Sequence, residues 1–132
     1  MTYDKHTIYV LVRTDIPLHQ QLVQAAHAAA EAARTHYNPE HGIASLVVLA
    51  VPHLKALTRA SQKLQTLNVE HEIFFEPDWD MGNSALATRP LTDAERPLLR
   101  YWPLWKSPTS STIAVNTNSS AIASSSAMEA AQ

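Results

Sequence analysis

Residues 10–29 read VLVRTDIPLHQQLVQAAHAA, and this stretch decides the fold class. It begins with β-branched and apolar residues, which are typical of a buried strand. It ends in an alanine-rich segment with the periodicity of a packed helix, and the proline at position 17 suits the first turn of that helix. We therefore predict a strand over residues 7–14, followed at once by a helix from Pro17 to about Tyr37.

The next segments of the chain alternate in the same way. Residues 44–51, ASLVVLAV, are apolar on both faces, as expected of an interior strand that helices cover on both sides. Pro52 then opens a second helix, whose leucines form a single stripe. Asn68 is predicted to end this helix in a left-handed conformation.

The last part of the predicted domain contains two closely spaced strands, over residues 69–76 and 84–89. Thr92 and Glu95 have the form of a capping box, and Pro97 predicts that the helix they begin is short or kinked. The order β-α-β-α-β-β-α indicates an α/β fold. We predict a three-layer α/β/α sandwich with a four-stranded mixed sheet, its first strands parallel and its last strand antiparallel.

Composition divides the chain into two parts. Its 132 residues, 45% of them apolar, suit one compact domain, which we place at residues 1–106. Residues 107–132 are mostly Ser, Thr, Ala and Asn, with Glu129 as their only charge. Such a segment buries too little apolar surface to offset the entropy of ordering it. We predict a disordered Ser/Thr/Ala-rich tail, with a short helix over residues 127–131 as an alternative.

Several classes of function are excluded by residue counts. The chain has no cysteine, which excludes disulfides and thiolate metal sites, and its seven histidines lack metal-ligand spacing. Two glycines are too few for a glycine-rich phosphate loop. We therefore expect no dedicated metal site and no cofactor. The polar start and the lack of a long apolar run predict a soluble cytoplasmic protein that does not enter membranes. Because the net charge of the protein is −2, binding of nucleic acid would require a local basic patch on its surface.

Charged and polar residues stand where the first strand passes into the first helix. Arg13, Thr14 and Asp15 follow the strand's carboxyl end, where ligands gather in open α/β sheets. The free N–H groups of the following helix favour anions at the same place. The other interpretation is structural: Thr14 or Asp15 caps the helix, and Arg13 pairs with a nearby acid. Position alone does not separate the two.

The first helix carries a continuous polar stripe, which periodicity alone predicts to be solvated. His27 in this stripe is a candidate catalytic residue, because the alanines around it let a ligand approach closely. A lone helical histidine is more often structural, and both interpretations stay open here. The stripe consists of Gln20, Gln24, His27, Glu31 and Arg34.

This combination resembles the type II peptidyl-tRNA hydrolases. The matching features are a strand that ends in Arg-Thr-Asp at residues 13–15 and the pattern Gln-x-x-His-Ala at residues 24–28. The order of elements through Lys106 fits as well. The resemblance implies a four-stranded mixed sheet between helices, and hydrolysis of the ester that joins a peptide to tRNA. Gln20 stands where the family has a lysine, and the loop before Gln24 is about two residues shorter.

The family's Asp-Ala-Gly-x-Thr signature corresponds here to EPDWDMGNS at residues 76–84, which has no threonine. Asp78 is the best match to the acid, with Asp80 and Glu76 as competitors. An acidic turn between two strands is the structural interpretation of the same stretch. The resemblance implies that His27 and Asp78 orient the attacking water. It implies substrate binding by Arg13, Thr14, Asp15, His19, Gln20, Gln24, Asp80, Asn83 and Ser84.

The expected partner is tRNA, and two basic clusters are candidate contacts. One is Lys55, Arg59 and Lys63 on the second helix, which is equally well a solvated face; the other surrounds Trp102 and Trp105, which favour a place in the core. The alternative to an enzyme is a non-catalytic module of the same fold that binds RNA or protein. A third is an enzyme acting on another small acyl ester or amide. The alanines of the first helix suit packing on the sheet and packing against a second copy of the chain equally well, so a homodimer stays open.

Overall fold

The computed structural model describes residues 5–107. The predicted tail therefore lies outside the described residues, apart from Ser107. The elements are β1 (His6–Arg13), α1 (Leu18–Thr35), β2 (Ser45–Val51), α2 (Leu54–Thr66), β3 (His71–Glu76), a 3-10 turn (Asp78–Asp80), β4 (Gly82–Thr88), β5 (Leu91–Thr92) and a second 3-10 turn (Arg96–Leu99).

The strands form one mixed sheet in the order β2-β1-β4-β3. β1 pairs with β2 in parallel, whereas β4 lies antiparallel to both β1 and β3. The predicted mixed sheet, with its first strands parallel and its last long strand antiparallel, is confirmed. The sequence did not predict β5, a two-residue strand that pairs with the start of β1, because two residues carry no periodicity.

The two helices cover opposite faces of the sheet. Val10 and Val12 of β1 pack with Ala28 and Ala32 of α1. Leu11, which points the other way from the same strand, packs in a second cluster that includes the buried leucines of α2. This alternation follows from the two-residue period of a strand. The predicted three-layer α/β/α sandwich is thus confirmed. Val10, Val12, Ala28 and Ala32 form part of the contact between the sheet and α1.

The helix-ending signals behave largely as expected. Asn68 adopts a left-handed conformation, with φ of 60°, directly after α2. Near the carboxyl end of the domain, the Glu95 carboxylate accepts a hydrogen bond from the Thr92 N–H at 2.9 Å, which is half of the predicted capping box. The helix that follows is only the 3-10 turn Arg96–Leu99, since Pro97 cannot donate a backbone hydrogen bond.

One edge of the sheet collects the ends of three strands. β1, β2 and β3 end here, at Arg13, Val51 and Glu76, while the antiparallel β4 begins beside them at Gly82. The first turn of α1 follows β1 at this same edge. Side chains that are distant in sequence therefore meet here, where ligands of open α/β sheets commonly bind.

Candidate functional site

A buried glutamine links α1 to the ends of β3 and β4. Gln24 has no exposed surface. Its Nε2 group donates to Glu76 Oε1 at 2.9 Å and to Gln20 Oε1 at 3.1 Å, and its Oε1 accepts from Ser84 Oγ at 2.6 Å. Both amide hydrogens and the carbonyl oxygen are thus engaged. The expectation that this whole polar stripe is solvated was wrong for Gln24, because its partners come from the sheet.

The Glu76 carboxylate is held by two donors. Oε1 accepts from Gln24, and Oε2 accepts from the backbone N–H of Asp78 at 3.1 Å. The hydrogen bond from Gln24, then that from Asp78, lowers the pKa of Glu76 below its usual value, and the nearby His27 lowers it slightly further. Glu76 is therefore an ionised carboxylate at neutral pH. An ionised carboxylate can orient or stabilise a neighbouring cation, but it has no proton to supply.

His27 lies near enough to this carboxylate to affect its pKa but makes no hydrogen bond with it, and its ring stacks on that of Phe74. The imidazole and the Phe74 ring are almost parallel, 2° apart in orientation, with 4.5 Å between their centroids. His27 is exposed, and among residues 5–107 its ring nitrogens make no hydrogen bond. An accessible imidazole with a fixed plane and a neighbouring carboxylate is equipped to exchange a proton with a bound molecule.

Arg13 ties the end of β1 to the loop that precedes β4. Its Nε and Nη2 groups donate to the two carboxylate oxygens of Asp15, at 2.9 and 3.1 Å. Its Nη1 group donates to the carbonyl oxygens of Met81 and Asn83, at 2.7 and 3.0 Å. The hydrogen bond from Arg13 also lowers the pKa of Asp15. The sequence left two interpretations of Arg13 open, a ligand site and an ion pair with a nearby acid. The contacts are those of the ion pair, and they join β1 to the segment before β4.

The start of α1 has no side-chain cap. Its N-cap position is Pro17, and the side chains of Thr14 and Asp15 make no capping hydrogen bond to the helix. Thr14 Oγ1 instead donates to the carbonyl oxygen of Val51 on β2 at 3.3 Å. The capping interpretation of Thr14 and Asp15 was therefore wrong.

The segment between β3 and β4 adopts an unusual backbone. Trp79 and Asp80 have φ of 56° and 53°, in the left-handed region that few side chains adopt freely. Gly82, with φ of 73°, reaches the same region without that cost. The contacts of Arg13 with this segment help to hold it. Trp79 is consequently displayed at the surface with 69% of its area exposed.

The structure brings some of the predicted residues together and leaves others apart. Gln20, Gln24, His27 and Ser84 share one cluster, and the carboxylate in it is Glu76 rather than the favoured Asp78. Asp78 touches the cluster only through its backbone N–H. In residues 5–107, the side chains of the exposed His19, Asp78 and Asp80 make no hydrogen bond. Asn83 offers its carbonyl to Arg13, and its side chain lines a cleft on the α2 side.

Sequence reasoning missed a second buried glutamine. Gln21, 5% exposed, donates through Nε2 to the carbonyl oxygens of Ile16 and Thr14 at 2.9 and 3.3 Å. Its Oε1 accepts from the indole N–H of Trp105 at 2.7 Å. Gln21 therefore holds the loop between β1 and α1. No local signal marks it, because its aromatic partner lies 84 residues later in the chain.

The candidate tRNA contacts are mostly surface residues. Lys55, Arg59 and Lys63 are exposed on α2, and the Lys63 ammonium lies 4.8 Å from the centre of the Tyr101 ring. Trp102 is buried in the core, as expected, whereas Trp105 is half-buried.

In the described part of the chain, no group of three or more acidic or histidine side chains has a metal-binding arrangement. Neither helix there is long and apolar enough to cross a bilayer.

Comparisons with known proteins bear on the fold alone. No protein-family model matches the chain, and no curated protein matches it. Among solved structures, a protein of unknown function from Agrobacterium tumefaciens strain C58 is similar, with a TM-score of 0.56 and 15% sequence identity. The match covers 80% of this chain and 100% of that one. The two chains therefore share a fold, and their identity is too low to transfer a function.

Proposed function

We propose that this protein is a divergent hydrolase of the type II peptidyl-tRNA hydrolase kind. It would act in the cytoplasm on the ester that joins a peptide, or an N-blocked amino acid, to tRNA. One observation supports the proposal: Gln24 holds the Glu76 carboxylate within electrostatic range of the exposed, stacked His27. This pair lies where β1 and β3 end, beside the helix whose Gln-x-x-His-Ala pattern resembles the family.

In the proposed reaction, His27 takes a proton from a water molecule that attacks the ester carbonyl. The ionised Glu76 stabilises the imidazolium that forms, and Gln24 keeps the carboxylate in place. The imidazolium then returns the proton to the ribose oxygen that leaves. Gln20 uses its Oε1 to accept from Gln24, so its own amide hydrogens remain as donors for the developing oxyanion. A neutral donor thus stands where the family has a lysine.

The test is release of tRNA from an N-acetylated aminoacyl-tRNA by the purified full-length chain. His27→Ala should lower the rate by about a hundredfold or more, because a positioned general base contributes on that order. Glu76→Gln should also lower it, since the amide cannot stabilise the imidazolium. Glu31→Gln, an acid-to-amide change one turn further along α1, should leave it unchanged.

Comparison of Glu76→Gln with Asp78→Asn then decides which carboxylate acts. The proposal expects the larger loss of tRNA release in Glu76→Gln, since Asp78 contributes a backbone N–H that the substitution retains. A wild-type chain that releases no tRNA, or a His27→Ala chain that retains the full rate, would refute the enzymatic proposal.

The second candidate is a non-catalytic module of this fold that binds RNA, and the exposed Trp79 favours it. A displayed indole at the rim of the site is suited to stacking on a base. If so, tRNA should bind with an affinity that falls steeply with salt and that drops in Trp79→Ala, without release of the ester.

A homodimer through α1 is a further proposal. Ala28 and Ala32 pack on the sheet, and the exposed Ala26 and Ala30 remain for contact with a second copy of the chain.

A further inference from the structure

A serine and a histidine form a short hydrogen bond on the opposite face of the sheet from Gln24. Ser61 lies in the middle of α2, and His71 begins β3. The distance from Ser61 Oγ to His71 Nε2 is 2.7 Å, and that from His71 Nδ1 to the carbonyl oxygen of Val69 is 2.9 Å. A carbonyl oxygen can only accept, so Nδ1 carries the hydrogen. In the neutral imidazole, Nε2 is then the acceptor for the hydroxyl of Ser61.

This arrangement has the parts of an activated nucleophile. The hydroxyl points its proton at a base, and a third group orients the base from its far side. Here the orienting group is the backbone carbonyl of Val69, a residue with only 1% of its area exposed. The backbone just before β3 therefore fixes the tautomer and the plane of the His71 ring.

Ser61 and His71 line an open cleft with a volume of about 730 Å³. Gln65, one helical turn after Ser61, and Asn68 line it with side-chain amides, and Ile73 supplies apolar surface. Amide N–H groups are suitable donors for an oxyanion. Ser61 is only 6% exposed, so we expect this position to exclude bulky acyl groups.

Arg89, which also lines this cleft, brings no free charge to it. Its Nη1 and Nη2 groups donate to the Glu95 carboxylate at 3.1 and 2.9 Å, and Nη2 also lies 3.4 Å from the carbonyl oxygen of Asn68. The positive charge is thus balanced within the protein. Glu70 and Glu72 also line the cleft, and their carboxylates disfavour an anion, so a neutral substrate fits this environment better than an anion does.

We propose that Ser61 is the nucleophile of a second site, which cleaves small neutral carboxylic esters with short acyl groups. Ser61 Oγ forms a bond to the ester carbonyl carbon while its proton moves to His71 Nε2. The carbon–oxygen bond to the leaving alcohol then breaks, and His71 returns the proton to that alcohol. Water, deprotonated by His71, hydrolyses the acyl-serine and releases the acid with Ser61 restored.

The experiment is labelling of the full-length chain with an alkyl fluorophosphonate, followed by peptide mass spectrometry. The serine oxygen displaces fluoride from phosphorus, and the adduct marks the activated hydroxyl. We expect an adduct at Ser61 in the folded protein, which is lost when urea unfolds it. His71→Gln should slow labelling by about a hundredfold, the usual contribution of a positioned base. Ser84 is the internal comparison, since it donates to an amide oxygen and should stay unlabelled.

Two outcomes would overturn the proposal: no Ser61 adduct in the folded wild-type chain, or equal labelling rates for folded and urea-unfolded chains. Neither measurement depends on a variant that must fold. Turnover of p-nitrophenyl acetate then separates this site from the proposed tRNA site. Ser61→Ala should abolish it, whereas Thr66→Ala, which removes an exposed hydroxyl of α2 bonded only to the Gln62 carbonyl oxygen, should leave it unchanged. Turnover that His27→Ala removes and Ser61→Ala retains would assign the ester chemistry to α1 instead.

Discussion

At the scale of single residues, Gln24 determines how the candidate site is held. Its amide joins Gln20, Glu76 and Ser84, and each partner comes from a different place in the chain. Gln24→Leu removes these bonds and leaves the buried Ser84 hydroxyl only a long contact, 3.4 Å, to the Phe74 carbonyl. We expect the free energy of unfolding, measured by urea denaturation, to fall by about 1–3 kcal/mol.

The matched control for this prediction is Gln20→Ala. Gln20 is half-buried and supplies one acceptor, so its loss should cost less than the loss of Gln24. In the double variant Gln24→Leu with Ser84→Ala, part of the lost stability should return, because no buried hydroxyl then lacks a partner. If Gln24→Leu unfolds at the same urea concentration as the wild type, the network does not contribute to stability.

The same residue shows how far the sequence could predict the site. The pattern of residues 10–29 located the strand, the loop and the helix, and with them Arg13, Gln24 and His27. It could not predict that Gln24 is buried, because the partners Glu76 and Ser84 stand 52 and 60 residues away. The choice of Glu76 over Asp78 depends on strand alternation, which turns Glu76 toward α1 together with Phe74 and leaves Asp78 beyond the end of β3.

At the scale of elements, periodicity predicted the long segments well and the short ones poorly. The first helix was expected over residues 17–37 and spans Leu18–Thr35, and the second strand differs from its predicted bounds by one residue. β4 begins at Gly82, two residues before its predicted start. β5 and the 3-10 turn at Asp78–Asp80 depend on pairing and backbone conformation, which a local hydrophobic pattern does not encode.

The turn after β5 gives a prediction about acid stability. The hydrogen bonds of Arg89, then that of the Thr92 N–H, lower the pKa of Glu95 from 4.5 to about 2. The folded pKa lies below the unfolded one, so this pair stabilises the fold fully above pH 4.5, and the contribution is lost as pH falls toward about 2. Because both side chains are partly solvated, we expect it to be about 1 kcal/mol or less. Urea denaturation at pH 7, 4 and 3 measures it.

The control for this pH dependence is Glu95→Gln, which keeps the size of the side chain and removes its charge. The stability of the variant should fall less steeply than that of the wild type between pH 4.5 and pH 3, and the two should converge at the lowest pH. Parallel curves for the two proteins would show that other carboxylates, such as Asp15 beside Arg13, account for the acid sensitivity of the fold.

At the scale of the whole molecule, the segment after the last 3-10 turn completes the sheet. The Ala50 N–H donates to the carbonyl oxygen of Pro103 at 2.9 Å, and the Trp105 N–H donates to the carbonyl oxygen of Val48 at 2.8 Å. The chain thus returns along the outer side of β2, where an open edge would otherwise expose unpaired backbone groups. The Trp105 indole then reaches the α1 side and bonds to Gln21. Residues 103–105 therefore hold together parts of both layers.

This closure predicts where the chain can be shortened. Both core clusters and the contacts of Trp105 lie before residue 107, so a chain ending at Lys106 should melt within a few degrees of the full chain. A chain ending at Trp102 loses two backbone hydrogen bonds to β2 and the indole bond to Gln21. A loss of about 1 kcal/mol shifts the melting temperature of a domain this size by roughly 4–8 °C, so we expect this shorter chain to melt more than about 10 °C lower. Thermal unfolding followed by circular dichroism compares the three chains. A drop of more than a few degrees on ending the chain at Lys106 would mean that residues 107–132 contribute to the fold, contrary to the prediction from their composition.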